Sequence, residues 1–178
     1  MRASSLLRAA RRRAGLTQRE LATRTSIPQT TIARIELGRN DPRASTLNAL
    51  LLGCGQVLIA SAGEGATDSA GLSERARRYL PEITRRLVDR FHPARIILFG
   101  SQANGRARSD SDVDLLVLMD AVDNKRDLRV AMRESLADIP IDKDVLVAST
   151  DEAIRRLTVG DRSVIATALQ EGLPVYGR

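Results

Sequence analysis

The chain has 178 residues, enough for one domain or two small ones, with an ordinary apolar content of 43% and aromatics at only 2%. A single cysteine excludes an internal disulfide framework and fits a reducing cytoplasm. No apolar run approaches membrane-spanning length, so neither a membrane partner nor a secretory leader is expected. The net charge of +6 is unevenly placed: residues 1–60 carry ten Arg against Glu20, Glu36 and Asp41, while residues 61–178 carry eighteen Lys and Arg against nineteen Asp and Glu. The first third is therefore expected to meet a polyanion, and the remainder is close to neutral.

Thr17 followed three residues later by Glu20 is a capping box, which starts a helix that turns Leu21 and Ala22 inward. A second helix is predicted from near Pro28, where a missing N–H does no harm, to Gly38. Ile32 and Ile35 form its buried stripe and leave Gln29, Thr30 and Arg34 on a neighbouring outward face. Two short helices joined by a tight turn make a helix-turn-helix. Together with Asp41-Pro42 and the Ser45-Thr46-Leu47 opening of a further helix, residues 5–52 resemble the phage-repressor and Xre family. Pro28 departs from that pattern, standing where the family places a capping Ser or Thr. The resemblance implies that the second helix enters the major groove of operator DNA. Gln29, Thr30 and Arg34 are then the base readers, and Gln18, Arg39 and Arg43 the phosphate contacts. A helical module that binds protein is the alternative.

Cys54, flanked by glycines after an apolar helix, reads as a small buried residue. Residues 56–60, QVLIA, form a short β-type run, and a lone edge strand needs a partner. Pairing with its copy in a second subunit would give the homodimer that palindromic operators require; packing within its own chain is the alternative. The small, Gly-rich stretch SAGEGATDSAG at 61–71 reads as a linker. The division expected is residues 1–60 for the DNA-binding domain, 61–72 for the linker and 73–178 for a second domain.

Ser73-Glu74 starts a helix with Leu80, Ile83 and Leu87 on one side, reaching Phe91, in which Pro81 either kinks the helix or opens a second segment. His92, the only histidine, sits beside Pro93 at the helix exit and is read as a turn residue without a catalytic role. Two short apolar runs follow, Ile96 to Phe99 and Leu115 to Met119, bounded by turn residues and read as buried strands. Side chains alternate along a strand, so Asp112 and Asp114 project to the same side. Paired carboxylates at the mouth of a buried strand repel and lose hydration unless a divalent cation lies between them, and their hard oxygens suit magnesium. Gly100 allows a sharp turn, and Ser101 begins a helical turn whose free N–H groups suit phosphate. Metal on one strand end and phosphate on the next point to phosphoryl or nucleotidyl transfer. A helix is predicted from about Asn124 to Ala137 and a third strand from Ile141 to Ala148, on which Asp142 and Asp144 share a face and either could join the pair. Helices are then predicted from Thr150 through Leu157 and from Asp161 to Glu171, the last stopped by Gly172.

Gly100, Ser101, Ala103, Gly105, Asp110, Ser111, Asp112, Asp114 and Leu115 together resemble the signature of the DNA polymerase β-type nucleotidyltransferases, in the small bacterial branch of minimal nucleotidyltransferases. The likeness runs over about residues 73–178 and includes Asp144-Val145-Leu146-Val147 and the ending Leu173-Pro174-Val175-Tyr176. Asn104 departs from it, standing where Arg is usual and weakening the grip on a triphosphate. The fold implied is an all-α helix-turn-helix domain followed by an α/β domain with a small mixed sheet. The chemistry implied is magnesium-dependent transfer of a nucleoside monophosphate from ATP, or another NTP, to an acceptor hydroxyl. Asp112, Asp114 and Asp144 would hold the metal and serve catalysis, and Gly100, Ser101, Asn104, Gly105 and Ser111 would bind the nucleotide. Family relatives are antitoxins that modify HEPN-type RNase toxins, so a partner protein is the implied acceptor, with autoregulation of the operon through the repressor-like domain. Residues 73–178 leave no length for a second lobe around a small-molecule acceptor, which favours a macromolecular one. The alternative is a transcriptional regulator whose transferase fold is a nucleotide sensor or an inactive partner-binding module.

Overall fold

The computed structural model describes residues 2–56, 71–159 and 161–177. The β-type run at 56–60 beyond Gln56, expected as a dimerisation strand, and the linker up to residue 70 lie outside the described residues. The chain gathers into two compact units: the first four helices with Asp151–Gln170, and the stretch through Thr150 together with the C-terminal residues from Glu171.

The helical unit begins with α1 (Ala3–Arg13), α2 (Gln18–Thr25), α3 (Gln29–Glu36) and α4 (Ala44–Gly53). The capping box forms as read: Glu20 N–H donates to Thr17 Oγ1 and Thr17 N–H to Glu20 Oε2. Pro28 stands at the N-cap of α3 and offers no side-chain cap. Leu7, Ala10, Leu21, Ile32 and Ile35 are fully buried between these helices. Where α4 meets α2, a Cβ on Gly53 would come within 3.1 Å of Leu21 Cδ1 and closer still to Thr25, so the crossing depends on glycine.

The polar centre of the unit is Glu36, whose carboxylate takes two hydrogen bonds from Arg11, at 2.7 and 2.8 Å, and one from Gln18 Nε2 at 2.9 Å. Burial by itself would push the Glu36 carboxyl up. The hydrogen bonds from Arg11 and Gln18, with the charges of Arg11 and Arg8, outweigh it and hold the group below the usual carboxylate range.

α4 is apolar almost all round, with every residue from Leu47 to Gly53 buried, and such a helix must be covered on more than one side. α7 (Thr150–Thr158) and α8 (Val164–Glu171) belong to this same unit for nearly all of their length. Asn48 Nδ2 of α4 donates to Leu169 O at 3.3 Å, and Thr158 Oγ1 donates to Thr25 O at 3.4 Å. The expected boundary assigned 73–178 wholly to the second domain. By compactness Asp151–Gln170 groups with the first helices, and the apolar faces of α7 (Ala153, Ile154, Leu157) and α8 (Ala166, Ala168, Leu169) are buried.

The second unit holds α5 (Glu74–Phe91), β1 (Arg95–Phe99), β2 (Val113–Met119), α6 (Lys125–Ser135), β3 (Lys143–Ser149) and β4 (Leu173–Gly177). The four strands form one mixed sheet in the order β3-β2-β1-β4, with β1 antiparallel to both neighbours and β2 parallel to β3 across the α6 crossover. β4 adds a strand to the three expected. α5 runs unbroken through Pro81, because its apolar stripe of Ala76, Leu80, Ile83 and Leu87 is anchored on the core on both sides of the proline. His92 ends it in the left-handed region, as befits a turn residue.

One core cluster lies on one face of the sheet, and Ile97, Leu116 and Leu118 are buried on the other. Ile96 and Leu98, Val113, Leu115 and Val117, and Val145 and Val147 point from the sheet toward α5 and Met132 and Leu136 of the α6 segment. Because strand side chains alternate, the residues between them, Asp114 and Asp144 among them, face the other way. A one-residue slip of β2 would exchange Leu115 for Asp114 in the core, so the apolar set locks the register.

Removing the Glu36 side chain leaves the nearly buried Arg11 guanidinium without its carboxylate. Glu36→Ala should cost about 3–5 kcal/mol in denaturant unfolding. A group held below its ordinary pKa contributes stability above the usual Glu range and loses it as pH falls through the depressed value. Wild type should therefore weaken on acidification below about pH 4–5 through this group, a leg that a pH series on Glu36→Gln should lack.

Candidate active site and nucleic-acid interface

β1 ends at Phe99, and the chain turns through a short 3-10 segment, Gly100–Gln102. Phe99 is the register partner of Asp114, so the turn passes directly beside that carboxylate. Gly100 has φ +73°, and a Cβ there would collide with Asp114 Oδ2 while standing 3.2 Å from its Cγ. Glycine is thus required twice, by conformation and by space. On the other side of β2, Asp114 is the register partner of Asp144 in the parallel strand β3. Asp112 stands two residues before Asp114, at the exposed mouth of the strand. Asp142 precedes β3; its carbonyl accepts from Val113 N–H at 2.8 Å and the residue is exposed. Burial raises the Asp114 carboxyl above its ordinary pKa, and the negative charges of Asp112 and Asp144 add to the rise. Asp144 Oδ1 accepts from Val145 N–H at 3.0 Å and lies 3.9 Å from Arg133 Nη2, an exposed pair that contributes little. Lys143, next to Asp144 in sequence, donates to Ile139 O and Ile141 O.

The loop between β1 and β2 is built from local bonds. Asn104 Oδ1 accepts from Arg106 N–H at 3.2 Å, Arg106 N–H also donates to Ser101 O, and Ser111 Oγ accepts from Arg108 N–H at 2.8 Å. Gly105 has φ +72° in this loop and is exposed. Ser111 therefore shapes the loop with the hydroxyl that the resemblance assigned to nucleotide.

In the helical unit, Gln29, Thr30 and Arg34 are exposed on α3, and Arg39 and Arg43 are exposed on the segment after it. Gln18 differs: one of its amide N–H groups is held by Glu36, which orients the side chain and leaves the second N–H for any phosphate.

A helix-turn-helix domain model matches residues 3–57, and a nucleotidyltransferase domain model matches residues 80–171, just over half of the chain. The chain belongs to the nucleotidyltransferase domain family. No curated protein and no solved structure matches it. By its two domains it is a DNA-binding nucleotidyltransferase, and the transferase domain implies an NTP substrate and, typically, a divalent metal. Among the described residues, no helix is long and apolar enough to cross a membrane.

Three of the transferase's acidic side chains are thus brought within electrostatic reach of one another beside the Gly100 turn. Among the described residues no three His, Cys, Asp or Glu side chains are grouped so as to hold a metal ion by themselves. That arrangement still fits magnesium, which keeps several waters and takes one or two protein carboxylates together with substrate phosphates. The sequence reading passed over Gln102. It occupies the variable place between Ser101 and Ala103 yet is fully buried, and its contacts only appear once α5 and the loop are packed together.

Two outcomes follow from this geometry. A carboxyl with a raised pKa opposes folding above that pKa and ceases to as pH falls through it. Asp114→Asn should therefore raise the thermal midpoint of the metal-free protein at neutral pH, while Gly100→Ala should lower stability by about 1–3 kcal/mol. On the DNA side, Arg34→Ala should relax sequence preference at a cost of about 1–3 kcal/mol. Arg39→Ala should weaken all sequences alike and flatten the salt dependence of binding, measured by titration at several salt concentrations.

Proposed function

We propose that this DNA-binding nucleotidyltransferase moves a nucleoside monophosphate from ATP to a hydroxyl on a partner protein, as the antitoxin of a toxin–antitoxin pair that represses its own operon. The observation that carries the reading is Asp114, set between Asp112 and Asp144 and against the Gly100 turn, with like charges crowding its carboxyl. Such crowding opposes folding and makes sense where a cation is to be bound.

Asp112, Asp114 and Asp144 would hold magnesium, which supplies charge neutralisation on the triphosphate and polarisation of the reacting phosphorus. Gly100 and Ser101 would lay the turn against the terminal phosphates, with Asn104, Gly105 and Ser111 shaping the loop beside them. Asp144 would also take the proton of the acceptor hydroxyl. Asp112 is exposed and Asp144 half-exposed, so the carboxylate face is open. An open face suits an acceptor that brings its own surface, such as a Tyr, Ser or Thr of a bound HEPN-type toxin. Gln29, Thr30 and Arg34 would read the operator, with Gln18, Arg39 and Arg43 on phosphates and a homodimer matching a palindrome.

Incubation with magnesium, labelled ATP and the protein encoded next to it should place label on that neighbour. Asp112→Asn should reduce the transfer by at least about a hundredfold, the scale on which one transition-state electrostatic partner counts. Labelling of a small aminoglycoside with none on any protein would overturn the choice of acceptor.

A further inference from the structure

Gln102 is the one polar residue of the transferase sheet unit with no exposed surface among the described residues, and all of its hydrogen bonds are directed at two places. Its Oε1 accepts from Ser73 N–H at 2.9 Å. Its Nε2 donates to Ser73 Oγ at 3.1 Å and to Ser111 O at 2.9 Å. Ser73 is the N-cap of α5, where its hydroxyl also accepts from Ala76 N–H. Ser111 is the residue before Asp112. The peptide groups on either side of Asp112 are therefore both tied: Ser111 O by Gln102, and Val113 N–H by Asp142 O at 2.8 Å. The bonds of the loop described above, Asn104 with Arg106 and Ser111 with Arg108, are short-range and do not fix it to the body of the domain.

We infer that Gln102 is a positioning residue: its amide anchors the loop to the start of α5 and so sets where the Asp112 carboxylate stands relative to Asp114. The assignment of a role in metal binding rests on the function proposed above; the anchoring itself does not. A buried primary amide suits the task because it accepts from one backbone group and donates to another, which neither a carboxylate nor a thioether does. Partners that orient metal ligands commonly matter as much as the ligands.

The test compares the full chain with Gln102→Met, Gln102→Glu and Ile83→Val, the last loosening α5 against the sheet without touching Gln102. Two readouts are taken: amide hydrogen exchange at residues 110–113 in the metal-free protein, and Mn²⁺ affinity by electron paramagnetic resonance. Gln102→Met should speed exchange at Asp112 and Val113 and weaken Mn²⁺ by about 10–100-fold, with neither effect in Ile83→Val. Gln102→Glu should regain affinity relative to wild type as pH is lowered from 8 toward 6, because the protonated acid can again donate to Ser111 O. Unchanged exchange in Gln102→Met, or a Gln102→Glu profile parallel to wild type, would overturn the inference. Wild type that binds no Mn²⁺ while Gln102→Met still releases the loop would instead sink the metal reading and leave the anchoring in place.

Discussion

The approach of two strand ends organises the transferase unit. β1 leaves the sheet at Phe99, and the next residue passes so close to the Asp114 carboxylate that only glycine leaves room. That contact joins the turn suited to phosphate to the strand suited to metal, and it exists only because β1 and β2 pair antiparallel in one register. The register is held from the opposite face, where Leu98, Val113, Leu115 and Val117 pack under α5 and α6. Burying such side chains is worth about 1.5–3 kcal/mol each. The apolar layer thereby supports a charge arrangement on the other face that is unfavourable by itself.

The helical unit is built round a different constraint. Glu36 is buried, and it is tolerable there because the Arg11 fork and the Gln18 amide satisfy both of its oxygens. The network joins α1, α2 and α3 and so fixes the angle between the two helices of the turn motif, which in turn presents Gln29, Thr30 and Arg34 to solvent. α4 closes the unit with an almost wholly apolar surface, and α7 and α8 complete it from the far end of the sequence. α7 follows β3 without a break, and a single residue, Gly172, separates α8 from β4.

Much of the candidate site was legible because its signals are local. The Gly-Ser turn, the Asp-x-Asp alternation and the capping box each depend on residues within a few positions of one another, where backbone sterics and side-chain periodicity act directly. What stands beside Asp114 was not local: Asp142 precedes β3, and the parallel register with β2 sets Asp144 opposite Asp114. Gln102 had no signature at all, for a glutamine in a polar loop looks the same whether it ends up in water or bridging Ser73 and Ser111.

The sequence by itself determined the two-part make-up, the segment that carries positive charge, the strands that frame the paired carboxylates and the helix-turn-helix. All follow from composition, period and turn chemistry. Only the tertiary structure decided that Gln18 is oriented by Glu36, that a fourth strand joins the sheet beside β1, and that residues 151–170 pack with the first helices. Those outcomes turn on which of several compatible apolar faces and hydrogen-bond partners meet across long separations, and a linear pattern carries no information about that until the layers are assembled.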